Sequence, residues 1–184
     1  MEDEYDPTDG DLVRRFAEGD MAAFANLVTR YQNGVFLFFC RMTGRRADAE
    51  DLAQETFVRV YESLHSLNDP TRFRSWFWAI ASNLCRDYHK YRQHRHHLSI
   101  ERDIDLDLQL TDVGSARIAE LAGRIRTALA ALDDERRLVV VLREYHGLSY
   151  EEIAATVGCS VGAVRWRLHA ARQQLRASLS DLIG

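Results

Sequence analysis

Gly147-Leu148-Ser149-Tyr150-Glu151-Glu152-Ile153-Ala154-Ala155-Thr156-Val157-Gly158-Cys159-Ser160-Val161-Gly162-Ala163-Val164-Arg165-Trp166-Arg167-Leu168-His169-Ala170-Ala171-Arg172 is the stretch that decides the fold. Ser149 and Glu152 have the S-x-x-E spacing of a capping box, which starts a helix by satisfying its first free amides. Ile153, Ala154 and Val157 give that helix an apolar face, and Gly158 supplies a residue that can turn left-handed and stop it. Ser160 then caps a second helix, with Val161, Val164, Leu168 and Leu175 on its inner side. The outer side offers Arg165, Trp166, Arg167, His169 and Arg172, and the helix carries no acid through Arg176. A short helix, a tight turn and a long basic helix form the helix-turn-helix, whose second helix enters the DNA major groove. Capping boxes are common and helical hairpins often only build cores; the cationic outer face is what sets this pair apart.

Working outward, the formal net charge of the 184-residue chain is only −4, which by itself argues against a nucleic-acid binder. The distribution says otherwise. Glu2 to Asp20 holds eight acids against Arg14 and Arg15, and Glu101 to Asp112 holds five against Arg102, whereas 86–97 and 165–176 are basic. Sign asymmetry between segments carries more information than the sum. Cys40, Cys85 and Cys159 lie far apart with no C-x-x-C pair, so buried or free thiols in a reducing cytosol are expected. The acidic N-terminus does not read as a signal peptide, and the apolar run Gly34 to Cys40 is far too short to span a bilayer. A cytoplasmic location is expected.

Only Pro7 and Pro70 interrupt a chain with helical periodicity almost throughout. The first short helix is expected over Asp11 to Ala17, breaking at Gly19. Asp20 caps a second, with Phe24, Leu27, Val28, Tyr31, Val35, Phe38 and Met42 at helical spacing up to Gly44. A third covers about Ala47 to His65 and ends at the loop Ser66 to Pro70. A fourth covers about Thr71 to Arg92, with Phe73, Trp76, Phe77, Ile80, Leu84 and Tyr88 inward. From His96 to Ser115 the chain turns polar and acidic; Ile104, Leu106, Leu108 and Leu110 alternate as in a strand, but a lone strand has no partner, so an extended linker is expected. Helical pattern resumes at Ala116, and Asp133 caps a further helix. The expected fold is all-α: two small helical domains, 8–95 and 116–182, joined by an acidic linker, 96–115.

The fourth helix forms a second basic site. Trp76 and Trp78, two residues apart, cannot share one face, and Asn83, Arg86, Tyr88, His89, Lys90, Tyr91, Arg92 and Arg95 follow. Aromatics interleaved with cations suit single-stranded or melted DNA, where rings stack on bases and cations hold phosphates. A core role accounts for Trp76, Phe77 and Tyr88; an exposed Trp78 would need a different reason. His89, His94, His96, His97 and Cys85 raise the question of a metal. His94, His96 and His97 lack the i, i+4 spacing that aims two ligands from one helix face, and no second cysteine completes a set, so no metal is expected.

Asp48-Ala49-Glu50-Asp51-Leu52-Ala53-Gln54-Glu55-Thr56-Phe57 closely resembles the D-A-E-D-L-V-Q-E-T-F signature of bacterial extracytoplasmic-function sigma factors. Phe73-Arg74-Ser75-Trp76-Phe77-Trp78-Ala79-Ile80-Ala81-Ser82-Asn83 resembles the family's F-R-x-W-L-x-x-I-A-x-N, and Gly147 to Arg176 resembles its region-four motif. Three motifs in order cover most of the chain, and the short linker matches the group's lack of a middle domain. The resemblance implies a sigma region-two helical bundle and a sigma region-four helix-turn-helix. Asp48, Glu50, Asp51, Gln54 and Glu55 would dock on the β′ clamp helices of core RNA polymerase, with the β flap a further contact. A helix N-terminus favours acids in any case, which accounts for Asp48, Glu50 and Asp51 better than for Gln54 and Glu55. Leu67, Asn68 and Asp69, with Trp76, Trp78, Asn83, Arg86, Tyr88, Lys90, Arg92 and Arg95, would recognise and open the minus-ten element, flipping a base at a cost of a few kcal/mol. Ser160, Arg165, Trp166, Arg167, His169 and Arg172 would read the minus-thirty-five element. Trp166 replaces a usual Ser and Ala170 a frequent Arg, so the promoter read is expected to differ. An anti-sigma protein is a common partner in the family; no cofactor and no membrane insertion are implied.

The reading that follows is a sigma factor that directs promoter-specific initiation, and not an enzyme, because no nucleophile–base pair, phosphate loop or metal set is visible. A stand-alone helix-turn-helix regulator is the first rival and predicts DNA binding without polymerase. A metal-dependent nucleic-acid enzyme is the second and predicts bound metal and turnover.

Overall fold

The computed structural model describes residues 6–96 and 116–183, and every regular element among them is helical. The segment expected to be the acidic linker, with Ile104 to Leu110 and its carboxylates, lies outside the described residues. Helix α1 (Asp9–Ala17) begins two residues before the sequence reading, because Thr8 caps it and Asp11 closes a capping box. Helix α2 (Met21–Thr43) starts at the Asp20 cap and ends at Gly44. Helix α3 (Arg46–Ser63) runs into a short 3₁₀ turn, Leu64–Ser66. After a second 3₁₀ turn at Pro70–Arg72, α4 (Phe73–His96) crosses the bundle.

The second half contains α5 (Ala116–Ala130), α6 (Asp134–Val140) with a wide turn at Val141–Tyr145, α7 (Tyr150–Val157), α8 (Val161–Ser178) and the four-residue α9 (Ser180–Ile183). The decisive stretch forms as its residues dictate. Ser149 and Glu152 make the reciprocal capping box, Gly158 stops α7 with φ of 71°, and Ser160 accepts from the Ala163 amide to start α8. A residue with a Cβ is strained at that φ, so the tight turn depends on glycine.

Both halves share one apolar core. In the first, Leu12, Leu27, Val35, Phe38, Phe73 and Phe77 are all sealed from solvent. In the second, Leu142, Leu148, Ile153, Val164 and Leu168 are equally sealed. The halves expected to be separate domains are in direct contact: α4 lies along α7, and α2 meets α5 and α6. Trp78 is the seam. It is 3 % exposed, with its ring against Phe38 and Phe77 of its own half and 4.0 Å, centroid to centroid, from His146 of the other. Helix α4 is thus covered on two sides, which lets two tryptophans two residues apart both pack. The expectation of an exposed Trp78 is corrected here: Trp76 is the more open of the two.

Arg137 fixes the second half to the first. Its Nε and two Nη atoms donate to the carbonyl oxygens of Leu129, Ala130, Leu132 and, across the seam, Met42, at 2.9–3.0 Å. A planar fork of five donors is the side chain able to satisfy that many acceptors at once.

Candidate nucleic-acid interface

The outward face of α8 is set by what its inner face buries. Val164, Leu168 and Ala171 point into the core, so Arg165, Trp166, His169 and Arg172 point away and are exposed. Ser160 is consumed as the cap. Arg167 turns sideways: its Nη1 donates to Cys159 Sγ at 3.4 Å and lies 3.3 Å from Glu135 Oε2. Arg172 pairs with Glu144 at 2.7 Å, and that carboxylate raises its pKa further. Arg165 and His169 therefore stand out from the core with Trp166 between them.

The fourth helix presents its cations differently. Arg86 donates to the Val157 carbonyl across the seam at 2.9 Å and to Asn83 Oδ1 at 3.1 Å, and its Nε lies 3.6 Å from Glu135 Oε1. Glu135 is thus shared by Arg86 and Arg167, one from each expected DNA-reading surface. Arg92 donates to Tyr88 Oη at 2.8 Å, and Tyr88 in turn donates to Asp48 Oδ2 at 2.5 Å. Burial, with that carboxylate beside it, pushes the Tyr88 hydroxyl up to about 12. Lys90 is exposed; the Arg95 side chain and His97 lie outside the described residues. Of the loop, Leu67 is half-buried against the core, Asn68 is exposed, and Asp69 accepts from the Thr71 amide at 3.0 Å and its hydroxyl at 2.6 Å. Those two bonds hold the Asp69 carboxyl below its ordinary value. Beside the loop, Arg59, Glu62, Ser63, Ile80 and Asn83 line an open cleft of about 320 Å³ between α3 and α4.

On α3, Glu50, Asp51, Gln54 and Glu55 are exposed; Glu50 pairs with Arg46 at 2.9 Å and Glu55 with Arg59 at 2.8 Å. Asp48 departs from the group. It is half-buried, accepts from Tyr88 and lies 3.5–3.6 Å from Arg45 and Arg92, so it ties the start of α3 to α4.

Sequence reasoning missed the residues that join the halves. Arg74 donates to the His146 carbonyl, and Thr156 donates to the Ser75 carbonyl at 3.3 Å. His89 lies 3.5 Å from Asp134. Arg74 sits inside a quoted motif, but its only sequence signal was that motif; the acids Asp134, Glu135 and Glu144 carried none. Cys40 and Cys85 are buried, and burial pushes their thiols up to about 11 and 12, values that leave no thiolate for chemistry near neutrality. No group of three or more metal-ligating side chains comes together among the described residues, and none of the described helices is long and apolar enough to cross a membrane.

Family models of sigma-70 region 2 and sigma-70 region 4 match residues 27–95 and 122–175. The ECF RNA polymerase sigma-E factor of Haemophilus influenzae is 32% identical over 96% of this chain and 97% of its own length. The chain belongs to the ECF RNA polymerase sigma factors. SigE of Mycolicibacterium smegmatis is 38% identical over 170 residues, 89% of this chain; the chain spans 65% of that longer sigma factor. The solved structure of CnrH in complex with the cytosolic domain of CnrY aligns with a TM-score of 0.70 at 32% identity, covering 94% of this chain and 97% of that one. The sigma factor RpoE of Bartonella quintana, solved with the anti-sigma factor NepR, shares the fold with a TM-score of 0.71 at 23% identity, over 85% and 96% of the two chains. The region-two match runs from within α2 through α4, and the region-four match from within α5 into α8.

Proposed function

We propose that this sigma factor binds core RNA polymerase through the exposed face of α3 and directs initiation by reading promoter DNA with α4 and α8. Its place of action is the cytoplasm, where bacterial polymerase works, and its role is recognition, not catalysis. The observation that carries the reading is the opposition of two charged faces on one chain: Glu50, Asp51, Gln54 and Glu55 outward on α3, and Arg165, His169 and Arg172 outward on α8. An acidic face steers and orients a basic protein partner, whereas a cationic helix face with no acid suits phosphates and base edges. One partner then meets the polymerase while another part of the same chain meets DNA, and the tether adds the two affinities through effective concentration. The minus-ten assignment rests on Asn68 of the loop, Asn83 at the open cleft, and Arg86, Lys90 and Arg92 farther along α4, with Trp76 as the more accessible tryptophan of that helix.

Replacing Asp51 and Glu55 together by Arg tests the docking face. Both are exposed, so the fold is retained, and affinity for core polymerase should fall at least about tenfold as attraction becomes repulsion. Unchanged affinity removes the assignment.

A further inference from the structure

Trp166 is 62% exposed on the one face of α8 that turns away from the core, although an indole is among the costliest side chains to leave in water. Core packing cannot account for it, because Val164 and Leu168, two residues to either side, already fill the inner face. Nor is the ring loose. The Arg136 guanidinium of α6 lies over it, 5.5 Å from the ring centroid. Arg136 is itself held, by Asp133 at 3.2 Å and by Gln174 of α8 at 3.4 Å. The result is a rigid apolar plate flanked by Arg165 and His169.

We propose that Trp166 is a specificity-determining residue that selects a thymine in the upstream promoter element by packing on its C5 methyl group. The inference rests on α8 being the promoter-reading helix. Among base edges in the major groove, the thymine methyl is the apolar feature, and an apolar side chain reads it by contact. A cationic side chain in the same place would favour guanine, through O6 and N7. Prior fixation of the ring means that little freedom is lost on binding.

The test uses holoenzyme assembled from core polymerase and the full chain, on the genomic fragment it transcribes best. Each upstream thymine is changed in turn to uracil, which removes only the methyl. One such change should weaken binding about threefold to fivefold, the size expected for burying one methyl group. With Trp166→Ala the same change should have no effect, while Trp166→Phe should keep part of it. Indifference of the parent to every uracil, or equal sensitivity in parent and Trp166→Ala, overturns the inference while leaving the promoter reading intact. Failure to transcribe any fragment overturns the promoter reading itself.

A second inference is carried by the seam. The geometry points to a closed free chain in which region four covers part of the DNA-reading side of α4, held by Glu135 between Arg86 and Arg167 and by Thr156 on the Ser75 carbonyl. Arg86 spends its remaining donors on Val157 and Asn83, and Trp78 is sealed beneath His146. Bases cannot reach Trp78, and Arg86 has its donors engaged, until the halves part. Glu135→Gln removes the shared charge and Thr156→Val removes the neutral bond. Both should raise the free chain's affinity for the same duplex about threefold or more at low salt, and neither should change the holoenzyme's affinity, because in this proposal polymerase holds the halves apart. An increase with Glu135→Gln alone would mean simple relief of repulsion from phosphate and would overturn the inference, as would no change in either variant.

Discussion

His146 shows how one residue sets the conditions under which the halves stay together. Its imidazole lies against Trp78 and Phe38, with the cations Arg41 and Arg74 nearby, and burial first and those cations second push its pKa down to about 4. The folded pKa is below the ordinary 6.5, so the unfolded chain binds the extra proton between those values. The contribution is complete above pH 6.5 and is lost as pH falls toward 4, by at most tenfold in the folding equilibrium per pH unit. His89 is shifted down by burial as well, against the pull of Asp134, and acts in the same direction. Asp20, Asp69 and Asp181 are held below 3.8 and keep their contributions until the pH is lower still. Thermal unfolding from pH 7 to 4.5 should therefore show a decline that His146→Phe reduces and that a double change with His89→Phe reduces further; a parent curve flat over that range contradicts the account. The sequence showed His89 as part of the basic site and of a possible metal set and offered His146 no role, because the feature that matters for each is what a distant helix places against it. The surroundings of Asp48 and Trp78 were hidden for the same reason. Each looks like a surface residue within its own motif, and each is claimed by a partner tens of residues away.

The elements themselves were legible. Caps at Asp20, Asp133, Ser149 and Ser160 and the stop at Gly158 all act as their residue types require, because capping is chemistry between neighbours in sequence. Helix ends shifted where a 3₁₀ turn intervened, as at Pro70–Arg72 before α4. What could not be read was how α5 and α6 are locked. Arg137 satisfies four carbonyl oxygens that helix ends and turns leave free, and its side chain is only 13% exposed. Arg137→Met keeps much of the volume and abandons those acceptors, so chemical denaturation should show a loss of about 2–4 kcal/mol. Arg137→Lys, with three donors on a point charge, should recover only part. A loss within about 0.5 kcal/mol, the range usual for surface changes, would mean that the packing of Leu129, Leu132 and Leu138 holds the corner without it.

At the scale of the whole molecule the sequence predicted two helical units and a linker, and it carried no sign that the units close on one another. The seam is made of single residues scattered over the chain: Arg74, Trp78 and Arg86 on α4, Glu135 on α6, His146 before α7 and Thr156 within it. None forms a pattern by itself. The functional assignment was legible because recognition of polymerase and DNA is written in contiguous motifs. A regulator acting alone and a sigma factor both bind DNA, but only the second makes polymerase start at chosen sites. The deciding measurement is run-off transcription by purified core polymerase on fragmented genomic DNA, with and without the full chain. The account predicts discrete start sites that appear only when the chain is present and disappear when Asp51 and Glu55 are changed to Arg. Sequence-specific binding of the chain to duplex DNA without any new start site would contradict it.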